Sequence, residues 1–168
     1  MAINKKYQFE NIYQQHHPMV LQLCLGFVKG DLDTAKDLAQ EIFISVLNNL
    51  EKFRGSSSYK TWIYRITVNT CLQFVKKEKK RNISSLTKDH NQGITEEIET
   101  ATTQSSPDLY KAIGQLNKID RLIIMMVLEN EDYDNISSVI GIKPTNVRVK
   151  IHRIKKQLKT ILNNYENE

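Results

Sequence analysis

The sequence predicts an all-α protein of two small helical domains, an N-terminal helical bundle and a C-terminal helix-turn-helix domain, joined by a flexible linker. Three observations predict it. Six Gly and three Pro in 168 residues are too few for a turn-rich sandwich or barrel. Apolar residues recur at threes and fours over long stretches, the period of a helix face. Charge is arranged in blocks: residues 1–90 hold 14 basic and 8 acidic side chains and residues 111–168 hold 10 and 7, while residues 91–110 hold four acids and no base.

The first helix is expected from Tyr7 to Val28, where Phe9, Ile12, Tyr13, Met19, Val20, Leu23 and Phe27 share a stripe that Pro18 interrupts. A second helix should start after Asp31 or Asp33, since either carboxylate can cap free N–H groups. Its inward stripe is Ala35, Leu38, Ala39, Ile42, Phe43, Val46, Leu47 and Leu50, and Asp37, Gln40 and Glu41 lie opposite. The run Arg54-Gly-Ser-Ser-Ser-Tyr59 breaks the pattern and reads as a turn or short loop. A third helix carries Trp62, Ile63, Ile66, Val68, Cys71, Leu72 and Val75 and ends among Lys76, Lys77, Lys79, Lys80 and Arg81. Three such helices can bury one small core, which bounds a first domain at residues 1–85.

Residues 86–106 are rich in Ser, Thr, Asn, Gln and Glu, a composition that supports no packed core, so a flexible tether is expected there, with a short helix near Ile94–Ile98 as its one ordered option. A second domain, 107–168, opens with Leu109, Ile113, Leu116, Leu122, Ile123, Met126 and Val127 at helical spacing, and Met125 and Met126 read as core filler. Tyr133 to Ile140 reads as a short helix with Ile136, Val139 and Ile140 inward, followed by Gly141 at a sharp turn and Ile142 plugging the gap between helices. Pro144 suits the first position of a last helix, where its missing N–H costs nothing. Val147, Ile151, Ile154, Leu158 and Ile161 form the stripe of that helix, leaving Thr145, Asn146, Arg148, Val149, Lys150, His152 and Arg153 on other faces. Seven cations and no acid lie between Lys143 and Lys159, which points to a polyanion partner. A helix-turn-helix with a basic second helix enters the DNA major groove in proteins that carry one.

Other classes are set aside on chemistry. No window approaches the ~18 uninterrupted apolar residues of a membrane span, and the N-terminus lacks the apolar core of a signal peptide, so no membrane insertion is expected and the cytoplasm is the expected compartment. Cys24 and Cys71 stand singly in apolar surroundings and read as buried thiols. His16, His17, His90 and His152 share no ligand spacing with Cys, Asp or Glu, the serines at 56–58 have no base at a motif spacing, and no Gly-rich phosphate loop exists. No metal, no cofactor and no enzymatic activity are therefore expected. Alongside a purely protein-binding adaptor, which leaves the seven-cation run unexplained, the residues leave open a conventional helix-turn-helix DNA-binding regulator whose N-terminal domain dimerises or senses.

Thr34-Ala-Lys-Asp-Leu-Ala-Gln-Glu-Ile-Phe43, Phe53-Arg-Gly55 and Tyr59-Lys-Thr-Trp-Ile-Tyr-Arg-Ile-Thr-Val-Asn69 occur in that order ahead of the helix-turn-helix. Together they resemble bacterial sigma factors of the extracytoplasmic-function group, the smallest members of the sigma-70 family, over nearly the whole chain. The resemblance implies a subunit that binds core RNA polymerase and promoter DNA, its first domain on the polymerase and the −10 element and its second on the −35 element. Asp37, Gln40 and Glu41 match the positions that grip the polymerase. Tyr59, Trp62, Tyr64 and Arg65 match the promoter-melting segment, where aromatic faces receive unstacked bases and cations hold the backbone. The loop from Arg54 through Ser57 to Lys60 matches the pocket for a flipped −10 base, with Asn69 near its wall, and Lys76 and Lys77 would attract phosphate. Thr145, Asn146, Arg148, Val149, Lys150, His152 and Arg153 match the −35 reading helix. Three positions depart from the pattern: Lys143 stands where a Ser cap is favoured, Ser137 where Ala is usual, and Lys36 where an acid is common. The family often uses an anti-sigma partner, and no further ligand-sensing domain is expected after the second one.

Overall fold

The computed structural model describes residues 2–85 and 107–166, which form seven α-helices and one short 3-10 turn. The linker at 86–106, the option of a helix near Ile94–Ile98 and His90 lie outside the described residues. The first domain comprises α1 (Ala2–Phe27), α2 (Leu32–Asn49), the 3-10 turn Leu50–Lys52 and α3 (Tyr59–Ser85). The second comprises α4 (Pro107–Gly114), α5 (Lys118–Leu128), α6 (Tyr133–Ile140) and α7 (Pro144–Glu166).

Pro18 does not interrupt α1, contrary to the expectation from sequence. A proline removes the bond to the carbonyl four residues earlier, here that of Gln14, and both residues are exposed, so solvent can serve that carbonyl. Of the two candidate caps of α2, Asp31 is the one used: its Oδ1 accepts from the Thr34 N–H at 3.2 Å and its Oδ2 from the Thr34 hydroxyl at 2.6 Å. Ser58 does the same for α3, its Oγ accepting from the Thr61 N–H at 3.1 Å. Asn117 caps α5 and Asp132 caps α6, and α6 ends at Gly141, whose φ of 80° suits a residue with no Cβ. Lacking a Ser at 143, the first turn of α7 is closed through the Lys143 carbonyl, which accepts from Asn146 N–H at 2.9 Å and Val147 N–H at 3.1 Å.

Each domain buries the stripes read from its sequence, with two exceptions. Tyr13 and Leu47 are 40% and 36% exposed, so they rim a surface groove instead of filling the core. Met125 and Met126 are core residues.

The two domains also share a core. The second half of α1 supplies Met19, Val20, Leu23, Cys24, Leu25, Gly26 and Phe27, all buried, between α2 and α3 on one side and α4 and α5 on the other. Gly26 permits the close approach to α5: a Cβ there would fall 2.3 Å from Met125 Sδ. Polar ties flank this seam. Tyr110 donates to Gln22 Oε1 at 2.5 Å. Arg121 donates through Nη1 to the Phe27 carbonyl at the end of α1 (2.9 Å), through Nη2 to the Gly114 carbonyl (2.7 Å) and through Nε to the Leu116 carbonyl (2.9 Å). One guanidinium thus satisfies carbonyls left free at the C-terminal ends of α1 and α4.

Hydrogen bonds from a charged donor contribute roughly 1.5–3 kcal/mol each, less what solvent restores when they are lost. Replacing Arg121 with Met keeps the apolar stem and removes the fork. It is expected to cost about 2–4 kcal/mol and to lower the thermal midpoint by roughly 5–10 °C. An unchanged midpoint by circular dichroism would show that the seam does not depend on Arg121.

Candidate nucleic-acid interface

Asp37, Gln40 and Glu41 are exposed on α2 because Ala35, Leu38, Ala39 and Ile42 turn the opposite face into the core. Gln40 borders a groove between α1 and α2 lined by Phe9, Tyr13, His17, Phe43, Ile44 and Leu47. Ile44 is 53% exposed. The sequence signal for this groove was an apolar residue standing off the buried stripe, and it was not read. Glu41 accepts from Lys77 Nζ at 3.3 Å, which ties this face to α3.

The second cluster is built on the loop before α3 and the first turns of that helix. Gly55 has a φ of +69°, a turn conformation that favours glycine. Phe53 stacks on Tyr59 with ring centroids 4.4 Å apart and lies 5.0 Å from the Trp62 ring, making a half-buried aromatic platform. Phe53, the first residue of the Phe53-Arg-Gly55 run, supports both aromatic site residues. Arg54, Asn69, Lys76 and Lys77 are exposed, and Ser57 is half-buried with its hydroxyl 3.4 Å from the Ser58 carbonyl. The Tyr59 hydroxyl accepts from Gln8 Nε2 at 2.7 Å. Tyr64 has no exposed surface: its hydroxyl reaches Glu131 Oε1 at 3.3 Å, and burial together with that carboxylate raises its pKa well above the ordinary phenol value. In this arrangement Tyr64 offers no face to a base. Lys60 pairs with the same Glu131, and Arg65 donates to Ser138 Oγ at 2.5 Å.

The third cluster is on α7. Thr145, Asn146, Arg148, Val149, His152 and Arg153 are exposed along one side, opposite the buried Val147, Ile151, Ile154 and Leu158. Lys150 is half-buried and bonds Asp120 Oδ1 at 2.8 Å, so it is held toward α5. Arg148 lies 5.8 Å from the centroid of the Tyr133 ring. Ser137, in the position where Ala is usual, donates to the Ile142 carbonyl at 2.5 Å and so braces the turn between α6 and α7.

The family described as Sigma-70 region 2 matches residues 12–81, and that described as Sigma-70, region 4 matches residues 107–158. The chain belongs to the sigma-70 family. Within it, the relatives place this sigma factor in the extracytoplasmic-function group. It is 27% identical over 162 residues to the RNA polymerase sigma factor YlaC of Bacillus subtilis, covering 89% of each chain. It is 26% identical over 165 residues to the ECF RNA polymerase sigma factor SigE of Mycolicibacterium smegmatis, covering 95% of this chain and 63% of that one. In fold it resembles the sigma factor RpoE of Bartonella quintana, solved in complex with the anti-sigma factor NepR, with a TM-score of 0.74 over 93% of this chain at 17% identity. A sigma factor directs RNA polymerase to promoters. The reading as a conventional helix-turn-helix regulator is not favoured, because the first domain matches region 2 and not a dimerisation or sensor module. Among the described residues no helix is long and apolar enough to cross a membrane.

Electrostatics near the second cluster provide a check on its geometry. Burial, and then the charge of Lys60, lower the pKa of His16 on α1 below the ordinary imidazole value. The folded state therefore binds this proton less well than the unfolded chain. Its contribution to stability is intact above pH ~6.5 and is lost as the pH falls below it. An NMR titration is expected to give a His16 midpoint below about 6.5 that moves upward in Lys60→Met. An ordinary midpoint, unmoved by that substitution, would mean that Lys60 does not lie beside α1.

Proposed function

We propose that this sigma factor binds core RNA polymerase through Asp37, Gln40 and Glu41 of α2, engages the −10 element through the loop before α3 and the start of α3, and reads the −35 element with α7. The carrying observation is that the exposed polar face of α2, the aromatic platform of Phe53, Tyr59 and Trp62, and the exposed basic side of α7 occur in the order of the two family matches. Carboxylates and an amide on one helix face suit Arg and Lys of a partner. The groove beside Gln40, with Ile44 and Leu47 at its rim, adds apolar area to that contact. Arg54, Ser57, Lys60 and Asn69 are the proposed surroundings of a flipped −10 base, and Lys76 and Lys77 the cations for its backbone. Such work requires neither cofactor nor catalytic group and is carried out on the chromosome, in the cytoplasm.

A second partner is proposed on the second domain. Leu109, Ile124, Val127, Leu128, Leu158 and Leu162 line a groove flanked by Lys155 and Lys159. An amphipathic helix with acidic edges fits that pattern, and an anti-sigma factor is the partner proposed for it.

The polymerase contact is tested by replacing Asp37, Gln40 and Glu41 together with Ala. All three are exposed, so stability should stay within about 0.5 kcal/mol. Affinity for core polymerase should fall at least about tenfold, or ~1.4 kcal/mol. Equal core affinity in a titration would sink the assignment.

On α7 the two kinds of contact have different signatures. Arg148→Ala or Arg153→Ala at a base contact costs roughly 1–3 kcal/mol at one −35 position, whereas loss of a phosphate contact weakens all sequences and lowers the salt slope by about one. Lys150 must first leave Asp120, so Asp120→Asn should strengthen −35 binding if Lys150 takes part. If none of the Arg148, Lys150 and Arg153 variants alters −35 binding or its salt dependence, α7 is not the reader.

A further inference from the structure

A cavity of about 290 Å³ opens where α1 turns into α2, walled by that turn, the start of α2, the second half of α3 and the first turn of α5. Phe74 and Val75 of α3, both half-buried, form its apolar side, and Lys29, Lys118 and Arg121 bring three cations to it. Two carboxylates also line it. Asp31 is occupied as the cap of α2, with both oxygens accepting from Thr34. Glu78 is exposed, and among the described residues Lys29, Lys79 and Lys118 form no ion pair. Burial, and then the charges of Lys79 and Arg121, lower the Lys118 pKa, and the pull of Glu78 is the smaller effect. The cations therefore crowd one another without a counter-charge of their own. Lys29 is also held where glycine would be easier: its φ is +64°, and its stem packs so closely on Gly114 that a Cβ there would fall 2.8 Å from Lys29 Cγ.

Like charges gathered from separate elements around one cavity repel until an anion joins them. We propose that this cavity binds a phosphorylated small molecule about the size of a nucleoside monophosphate, its phosphate among Lys29, Lys118 and Arg121 and its apolar or planar part on Phe74 and Val75. The volume falls at the small end of ligand pockets, too small for a duplex or a folded segment. Lysines serve phosphate as point charges. Arg121 gives one N–H each from Nε, Nη1 and Nη2 to main-chain carbonyls, which fixes its plane and leaves one N–H free on each Nη. A donor held in place before the ligand arrives loses little freedom on binding. The site goes beyond promoter recognition and does not rest on it. Phe74 lies nine residues past Arg65, about 14 Å further along α3 than the proposed −10 surface.

The test is calorimetric titration of the full chain with AMP, with adenosine and inorganic phosphate as separate arms at constant ionic strength. AMP should bind saturably with half-saturation below about 1 mM, and adenosine and phosphate should each bind at least about tenfold more weakly. Lys118→Ala should weaken AMP about tenfold, the loss of one charge-assisted contact. Lys29→Gly should do the same while leaving the thermal midpoint unchanged or higher, because glycine relieves the positive φ at that position. That variant separates loss of the site from loss of the fold. Replacing Lys6 and Lys52, exposed cations outside the cavity, with Ala should leave AMP affinity unchanged. No saturable AMP binding, or equal affinity in the Lys29 and Lys118 variants, would overturn the site. Phosphate binding as tightly as AMP would overturn the organic part of the ligand. Displacement of AMP by a single-stranded oligonucleotide whose binding needs Lys29 and Lys118 would assign the cavity to nucleic acid and overturn the small molecule.

Discussion

The second half of α1 is apolar on nearly every side, and the rest of the molecule is arranged around that fact. A helix with one apolar stripe needs one partner, whereas a helix apolar all round must be enclosed. Met19, Val20, Leu23, Cys24, Leu25 and Phe27 are enclosed by α2 and α3 on one flank and by α4 and α5 on the other. The details of the seam follow from this packing. Gly26 lets Met125 approach, Arg121 reaches the carbonyl that ends α1, and Tyr110 closes over Gln22 with its Cβ against Gly30. The chain turns out of α1 through Lys29 and Gly30, both at positive φ, because α2 must start immediately to cover the other flank.

Enclosing α1 from both sides brings α6 onto α3, and that placement explains the charge pattern. The second domain is basic overall, yet its acids concentrate between 129 and 134, where the domain meets Lys60 and Arg65. Six of its ten cations run along α7. Segregation of this kind lets one small domain present opposite surfaces to two basic or acidic neighbours. In this arrangement the side of α7 proposed for −35 DNA is exposed, while the start of α3 is met by α6.

Much of this could be read from the sequence where a helix has one partner. The apolar period of α2, the span of α6, the Gly141 turn and the stripe of α7 are all single-sided signals. Legibility failed where a residue answers to something distant in the chain. Gln22 and Gly26 stand off the first stripe, but only the fold says that Tyr110 and Met125 of the second domain meet them. Glu131, Asn135 and Ser138 are ordinary polar residues of a short helix and its lead-in turn, and their partners lie some seventy residues away. Tyr64 was read as a face for bases because it stands in a recognised motif, yet helical spacing next to Ile63 equally suits burial, and the structure buries it. Pro18 is carried inside α1, where the carbonyl it leaves without an N–H partner, that of Gln14, belongs to an exposed residue.

The two parts of the domain contact differ in kind. The α3–α6 contacts are polar: Lys60 is 43% exposed, whereas the Glu131 carboxylate and the Tyr64 hydroxyl it receives are buried. The α1–α5 seam is apolar, and each 100 Å² laid bare costs roughly 2.5 kcal/mol, with nothing in water to offset it. Polar contacts spaced one per helix turn fix the register of α6 on α3; the seam holds strongly but sets no register.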